Sequence, residues 1–155
     1  MSALVAEELE RLHQLIAWSF PPGLSPESVA GEACVWCDVP CDDTAVDLST
    51  LGPLRACATC YAGQLVWLVS WYDWNGHVDA CTPCQQGRVC HVGRGRRVLH
   101  LLTTGLARKQ PPLCTGCQGP LHDDEPALPF VWTGQSSEHL GYGHTRCLLR
   151  RATSR

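Results

Sequence analysis

Lysine is almost missing from this 155-residue chain: Lys109 stands alone against eleven arginines. Phe, Tyr and Met are scarce as well, with two, three and one copies. No stretch approaches the roughly 18 apolar residues of a membrane helix. The nearest, Leu65 to Trp74, is too short and is interrupted by Ser70 and Asp73. A secretory leader is not in evidence either, since Met1 to Phe20 carries Glu7, Glu8 and Glu10 where basic residues would stand. Large apolar side chains are spread unevenly, and a segment of roughly 40 residues buries too little of itself to form a self-sufficient core. Six Trp offset part of that shortage. A second kind of crosslink is needed for the rest.

Cysteine is what the chain has in excess, with eleven. The odd count and the acidic N-terminus argue against a disulfide framework and predict a reduced, cytoplasmic protein. Four pairs share a two-residue gap: Cys34 and Cys37, Cys57 and Cys60, Cys81 and Cys84, Cys114 and Cys117. His144 and Cys147 form a fifth. That gap lets two side chains reach one ion from a tight turn or a first helical turn, and zinc takes four such ligands in a tetrahedron. Three sites follow, using ten of the eleven cysteines: Cys34, Cys37, Cys57 and Cys60; His77, Cys81, Cys84 and Cys90; Cys114, Cys117, His144 and Cys147. His77 is preferred at the second because positions four apart share a helical face. Cys41, His91, His122 and His139 remain as substitute ligands. Each site has four protein donors, which is the closed, structural type of zinc centre.

Along the chain, residues 1–20 read as an amphipathic helix. Val5, Leu9, Leu12 and Ile16 form its stripe and Pro21-Pro22 its stop. Residues 21–31 are a linker. Residues 32–76 hold the first zinc unit: the Cys34 knuckle, a loop or short hairpin, then a helix opened by Cys57 and Cys60 that carries Trp67, Trp71 and Trp74 and stops at Asn75-Gly76. Residues 77–110 hold the compact second site and a basic helix from Gly93 to Ala107, with Val98, Leu99, Leu102 and Leu106 on one side. Gln110-Pro111-Pro112 marks a boundary. Residues 111–155 repeat the first pattern: the Cys114 knuckle, a hairpin around Gly134, and a terminal helix with His144 and Cys147 on its first turn.

Knuckle, hairpin and ligand-bearing helix resemble treble-clef zinc fingers, over Cys34 to about Trp74 and again after Cys114. The run His77-x3-Cys81-x2-Cys84-x5-Cys90 resembles a metal signature of small, mostly uncharacterised actinobacterial proteins. Arginine in place of lysine, with abundant Ala and Gly, fits a GC-rich genome of that kind, or one of its phages or plasmids. The resemblance implies a small zinc-rich α+β fold: two treble-clef-like units flanking a compact Cys3His site, three structural zinc ions, and an N-terminal helix.

Charge is polarised. Residues 1–79 carry eleven Asp/Glu and two Arg, net −9; residues 80–155 carry four Asp/Glu and ten Lys/Arg, net +6. The cation run Arg88, Arg94, Arg96, Arg97, Arg108 and Lys109 suits phosphate contact, with Arg146, Arg150, Arg151 and Arg155 able to extend it. The leading expectation is therefore a non-enzymatic, zinc-stabilised regulatory protein that contacts DNA or RNA through its second half. An adaptor using exposed Trp surfaces (Trp36, Trp67, Trp71, Trp74, Trp132) is the alternative. A treble-clef nuclease using His139, His122, Asp123 and Asp124 is the third. Neither the deaminase His-x-Glu nor the protease His-Glu-x2-His signature occurs. No small-molecule substrate and no membrane partner is expected.

Overall fold

The structure, a computed structural model, describes residues 6–17, 19–48, 52–122, 124–133 and 138–152. Val5, Trp18, Asp123, Gly134 and Arg155 lie outside the described residues, as do the side chains of Arg150 and Arg151. The chain sorts into two compact units. The first comprises residues 1–68 with 105–109; the second comprises 69–104 with 110–155.

In the first unit, α1 (Ala6–Ala17) buries Leu12 and Ile16, while Leu9 of the same stripe stays exposed. His13 Nδ1 lies 2.9 Å from the hydroxyl of Tyr61. A one-turn helix α2 (Pro26–Val29) follows, capped by Ser25, whose hydroxyl accepts from the Ser28 amide. The Ser28 hydroxyl then reaches Cys34 O and Asp38 Oδ1, tying α2 to the first knuckle. Strands β1 (Val46–Asp47) and β2 (Arg55–Ala56) pair antiparallel, with Val46 opposite Ala56. Helix α3 (Ala58–Ala80) starts in this unit. Its Gly63 is required by close approach: a Cβ there would lie 2.2 Å from the carbonyl oxygen of Leu106. Gln64 donates to Ala107 O at 2.7 Å and holds the 105–109 turn against the helix.

The sequence places a stop at Asn75-Gly76, and the structure corrects it. Helix α3 runs on to Ala80. Gly76 is exposed and meets nothing where a side chain would be. Its cost of about 1 kcal/mol in a helix interior is therefore all that opposes continuation. Trp71, Trp74 and Val78 bury on either side of it and outweigh that cost.

The second unit begins at Val69, within α3. A one-turn helix α4 (Thr82–Gln85) leads to α5 (His91–Thr103). The basic helix thus starts two residues earlier than Gly93 and ends four before Ala107. Cys90 explains the early start, since its sulfur accepts from the Gly93 amide and caps the helix. Strands β3 (Ala127–Thr133) and β4 (Glu138–His144) form a hairpin with Phe130 opposite Gly141. Helix α6 (Thr145–Ala152) follows directly. His144 therefore closes β4 rather than opening the helix, and only Cys147 sits on the first helical turn.

The core of this unit is partly polar. His100 is fully buried, with Nδ1 2.8 Å from Ser70 Oγ and Nε2 2.6 Å from the Tyr142 hydroxyl. The Trp74 ring stacks on Tyr142 at 6.1 Å. Helix α5 consequently packs inside out. Its buried face is Gly93, Arg97, His100 and Thr103, while Val98, Leu99 and Leu102 face solvent. No helix among the described residues is long and apolar enough to cross a membrane.

Candidate metal centres

The twelve donors expected from sequence fall into three groups, and within each group the four ligand atoms lie within 4.8 Å of one another. These groups are Cys34, Cys37, Cys57 and Cys60; His77, Cys81, Cys84 and Cys90; and Cys114, Cys117, His144 and Cys147. All eleven cysteines are free thiols. Cys41 and His91, His122 and His139 join none of the groups among the described residues.

The spacing between donors tests the fit of zinc. Zn–S bonds of about 2.3 Å place tetrahedral sulfurs about 3.8 Å apart, and a Zn–N bond of about 2.0 Å places nitrogen about 3.5 Å from sulfur. Cys37 and Cys57 sulfurs are 3.8 Å apart, Cys81 and Cys90 3.8 Å, and Cys84 and Cys90 3.7 Å. His144 Nδ1 lies 3.5 Å from Cys117 Sγ and 3.9 Å from Cys147 Sγ. His77 turns Nε2 inward, 3.1 Å from Cys90 Sγ and 3.8 Å from Cys84 Sγ. These are edges of tetrahedra, far longer than the roughly 2 Å of a disulfide. The soft donor set and its geometry both fit zinc.

The first and third sites are built by the same turn. Cys34 N–H donates to Val39 O and Asp38 N–H to Cys34 O; Cys114 N–H donates to Gly119 O and Gln118 N–H to Cys114 O. Asp38 and Gln118 both take a positive φ of 59°. Isolated bridges Ala33–Pro40 and Leu113–Pro120 close the two turns alike. A hairpin then brings the chain back to the second ligand pair in each case. The second site instead winds around helix ends: His77 on α3, Cys81 and Cys84 around α4, and Cys90 capping α5. Gly93 approaches closely there, since a Cβ would lie 3.1 Å from Cys84 Sγ.

Each site keeps one thiol ready to ionise. Burial opposes the charge on Cys34, yet hydrogen bonds from the Trp36, Cys57 and Cys37 backbone outweigh it and bring the thiol down to about 7. The Gly93 amide and the His77 side chain bring Cys90 to about 6. Burial again opposes ionisation of Cys114, and backbone donors at His144, Cys117 and Gly116 bring it to about 6. Burial shifts four neighbouring thiols the other way, Cys37, Cys60, Cys84 and Cys147. Burial pushes Cys84 up to about 11 and raises Cys60 further. Clustered thiols cannot all ionise without a cation among them.

Three charged residues with no expected part beside the clusters adjoin these sites: Glu125, Arg146 and Arg108. Glu125 Oε2 lies 2.9 Å from His144 Nε2, with Pro120 O also within 3.2 Å. That carboxylate fixes the tautomer that points Nδ1 at the thiols. Arg146 holds the same carboxylate at 3.0 Å. At the first site the Arg108 guanidinium hydrogen-bonds the Cys60 sulfur and is held above its usual range by that contact. The signal for Glu125 was present as one of four carboxylates in a mostly basic half, but nineteen positions separate it from its histidine in sequence.

The cation run is largely engaged inside the protein. Arg97 is only 4% exposed and donates to the carbonyls of Glu125 and His122. Arg96 pairs with Asp73 at 2.8 Å. Lys109 lies over the Trp67 ring, 4.6 Å from its centroid. Arg108 and Lys109 also belong to the first unit, and Arg88, Arg94, Arg96 and Arg97 to the second. Arg88 and Arg94 remain exposed. Trp71 and Trp74 are fully buried and Trp36 and Trp67 half-buried; Trp132 is 41% exposed. Two of the five described tryptophans are therefore core.

Trp132 stacks on His139 across the hairpin, centroids 5.2 Å apart and 21° from parallel, and Phe130 adjoins it at 5.5 Å. Gly141 makes room for the indole, since a Cβ there would lie 2.5 Å from it. A cleft of about 520 Å³ meets this strip at Phe130 and is lined also by Val131, Gln85 and Gly87. Asn75, Asp79 and Thr145 supply polar groups along it.

Comparison with family models, curated proteins and solved structures finds no match to this chain. The class that fold and sites define is a small mixed α/β protein with three Cys/His clusters suited to metal.

Proposed function

We propose that this chain is a non-enzymatic protein held together by three structural zinc ions, with treble-clef-like first and third units, and that its second unit binds single-stranded nucleic acid. Four side-chain donors per site leave no open position for a reacting water, which supports a structural role for the metal. The observation that carries the target is the Phe130–Trp132–His139 strip, exposed at Trp132 and His139 and half-buried at Phe130. Bases stack on such rings without regard to sequence. Arg88 follows the lining residue Gly87 in the chain and is exposed, and Arg94 is exposed one turn into α5. These two arginines replace the longer run as phosphate contacts, because Arg96 and Arg97 are spent on Asp73 and on backbone carbonyls. Asn75 donates to Asp79 Oδ2 at 3.0 Å, and this polar pair lines the cleft that a base would enter.

Fluorescence anisotropy with labelled single- and double-stranded oligonucleotides tests this. Single strands bind in preference. Trp132→Ala weakens binding by about 5- to 150-fold, from the roughly 1–3 kcal/mol of one stacked base. Neutralising Arg88 and Arg94 to Gln lowers the slope of log K against log salt by about 1.4. Absence of binding at low salt, or binding indifferent to Trp132→Ala, refutes the reading.

A further inference from the structure

The α5 helix exposes the side it would ordinarily bury. Leu102 is 71% exposed and Leu99 56%, with Val92 and Val98 on the same face about half open. Folded monomers seldom leave such a stripe uncovered. Gly95 lies at its centre, and nothing lies within 4 Å of the place where its Cβ would be. The stripe therefore has a notch at Gly95 and a knob at Leu102, seven residues or about 10.5 Å apart along one helical face.

We propose that a second copy of this chain covers the stripe, with α5 packing antiparallel on its own twofold mate. An axis between Val98 and Leu99 makes the face complementary to itself. Positions at equal distance from that point oppose each other, so Leu102 of each copy enters the Gly95 notch of the other, and Val98 meets Leu99. A contact of this isologous kind satisfies both copies at once. The charge at the stripe's margin selects the same direction. Arg94 is exposed in the first turn of α5, and the half of the helix after Arg97 carries no formal charge. Parallel pairing would set arginine against arginine. Antiparallel pairing sets each against an uncharged residue and opposes the two helix dipoles favourably. A specific interface takes about 800 Å² from each partner around an apolar centre with a polar rim. The four aliphatic side chains supply that centre, and His91 and Arg94 lie at its margin.

The test uses the zinc-loaded full chain in sedimentation velocity across micromolar concentrations. The wild type shows a concentration-dependent dimer. Leu102→Glu and Gly95→Arg, each at an exposed position, weaken the dimer at least 100-fold while keeping three zinc per chain. Mixing the two monomeric variants restores a one-to-one dimer, because one knob-and-notch contact is then native and the other joins Glu to Arg. That rescue does not depend on either variant's intrinsic stability. A wild type monomeric up to high micromolar concentration overturns the proposal. So does a dimer that survives both substitutions, or a mixture that stays monomeric. Oligonucleotide binding through Trp132 is measured separately and can stand or fall without it.

Discussion

Glu125 holds the outer nitrogen of His144, with its carboxylate 2.9 Å from Nε2, while the inner nitrogen faces the thiols of Cys117 and Cys147. The histidine is thus oriented before any ion arrives. Glu125→Gln keeps the shape and loses the charge-assisted bond. Zinc affinity at the third site should fall about 10- to 100-fold, the usual effect of losing such a partner. Competition with a chromophoric chelator should show one of three ions released early and the other two unchanged.

Arg97 reads as a phosphate ligand in sequence but is a structural brace. Its guanidinium satisfies the carbonyls of His122 and Glu125, in the loop that presents Glu125 to His144. Arg97→Leu strips both carbonyls of their donor. A loss of about 2–4 kcal/mol is expected from the unpaired groups. Denaturant unfolding of the zinc-loaded protein measures it. A change below about 0.5 kcal/mol would place Arg97 on the surface after all.

Gly63→Ala tests the first unit. The added methyl would collide with the Leu106 carbonyl, and the 105–109 turn must move away from α3 to admit it. The Gln64 bond to Ala107 O is lost with that movement. A cost of about 1–3 kcal/mol follows from overpacking, accompanied by faster hydrogen exchange of the Gln64 side-chain amide.

Metal loading should depend on pH with a definite sign. At pH 7 Cys90 and Cys114 are mostly ionised, with Cys34 near its midpoint, whereas Cys84, raised to about 11, still carries its proton. Binding a zinc ion strips the protons that remain, so affinity climbs with pH and protons are released. Affinity drops most steeply below about pH 6, where Cys90 and Cys114 also take up protons. Calorimetry in buffers of different ionisation enthalpy should report net release of protons at neutral pH. Uptake, or no exchange, would contradict the ligand assignment.

Removing the ions altogether should abolish cooperative unfolding. The described core is small, and the sites join segments such as Cys34 and Cys57, or Cys114 and Cys147, that are distant in the chain. A chelator should leave α3 and α5 partly helical by circular dichroism but erase the near-ultraviolet signal of Trp71 and Trp74. An unaltered spectrum and melt would mean that apolar packing suffices.

Ten of the twelve candidate metal donors, all but His77 and Cys90, were legible because a two-residue gap is a local property. A tight turn or one helical turn converts it directly into two side chains pointing at one place, whatever the rest of the chain does. Cys34, Cys57, Cys81 and Cys114 with their partners needed no knowledge of the fold. The two hairpins and the ligand-bearing helices followed from the same local rules, though α3 ran past its expected stop at Gly76 once Trp74 and Val78 had a core to enter. What the sequence could not decide was which way α5 faces. Its apolar stripe and its Arg, His and Thr stripe both have helical spacing, and only the tertiary structure turns His100 onto Ser70 and Tyr142 and Arg97 onto two carbonyls. Partners such as these lie more than twenty residues away, and hydrogen bonding across that distance leaves no periodic trace in the chain.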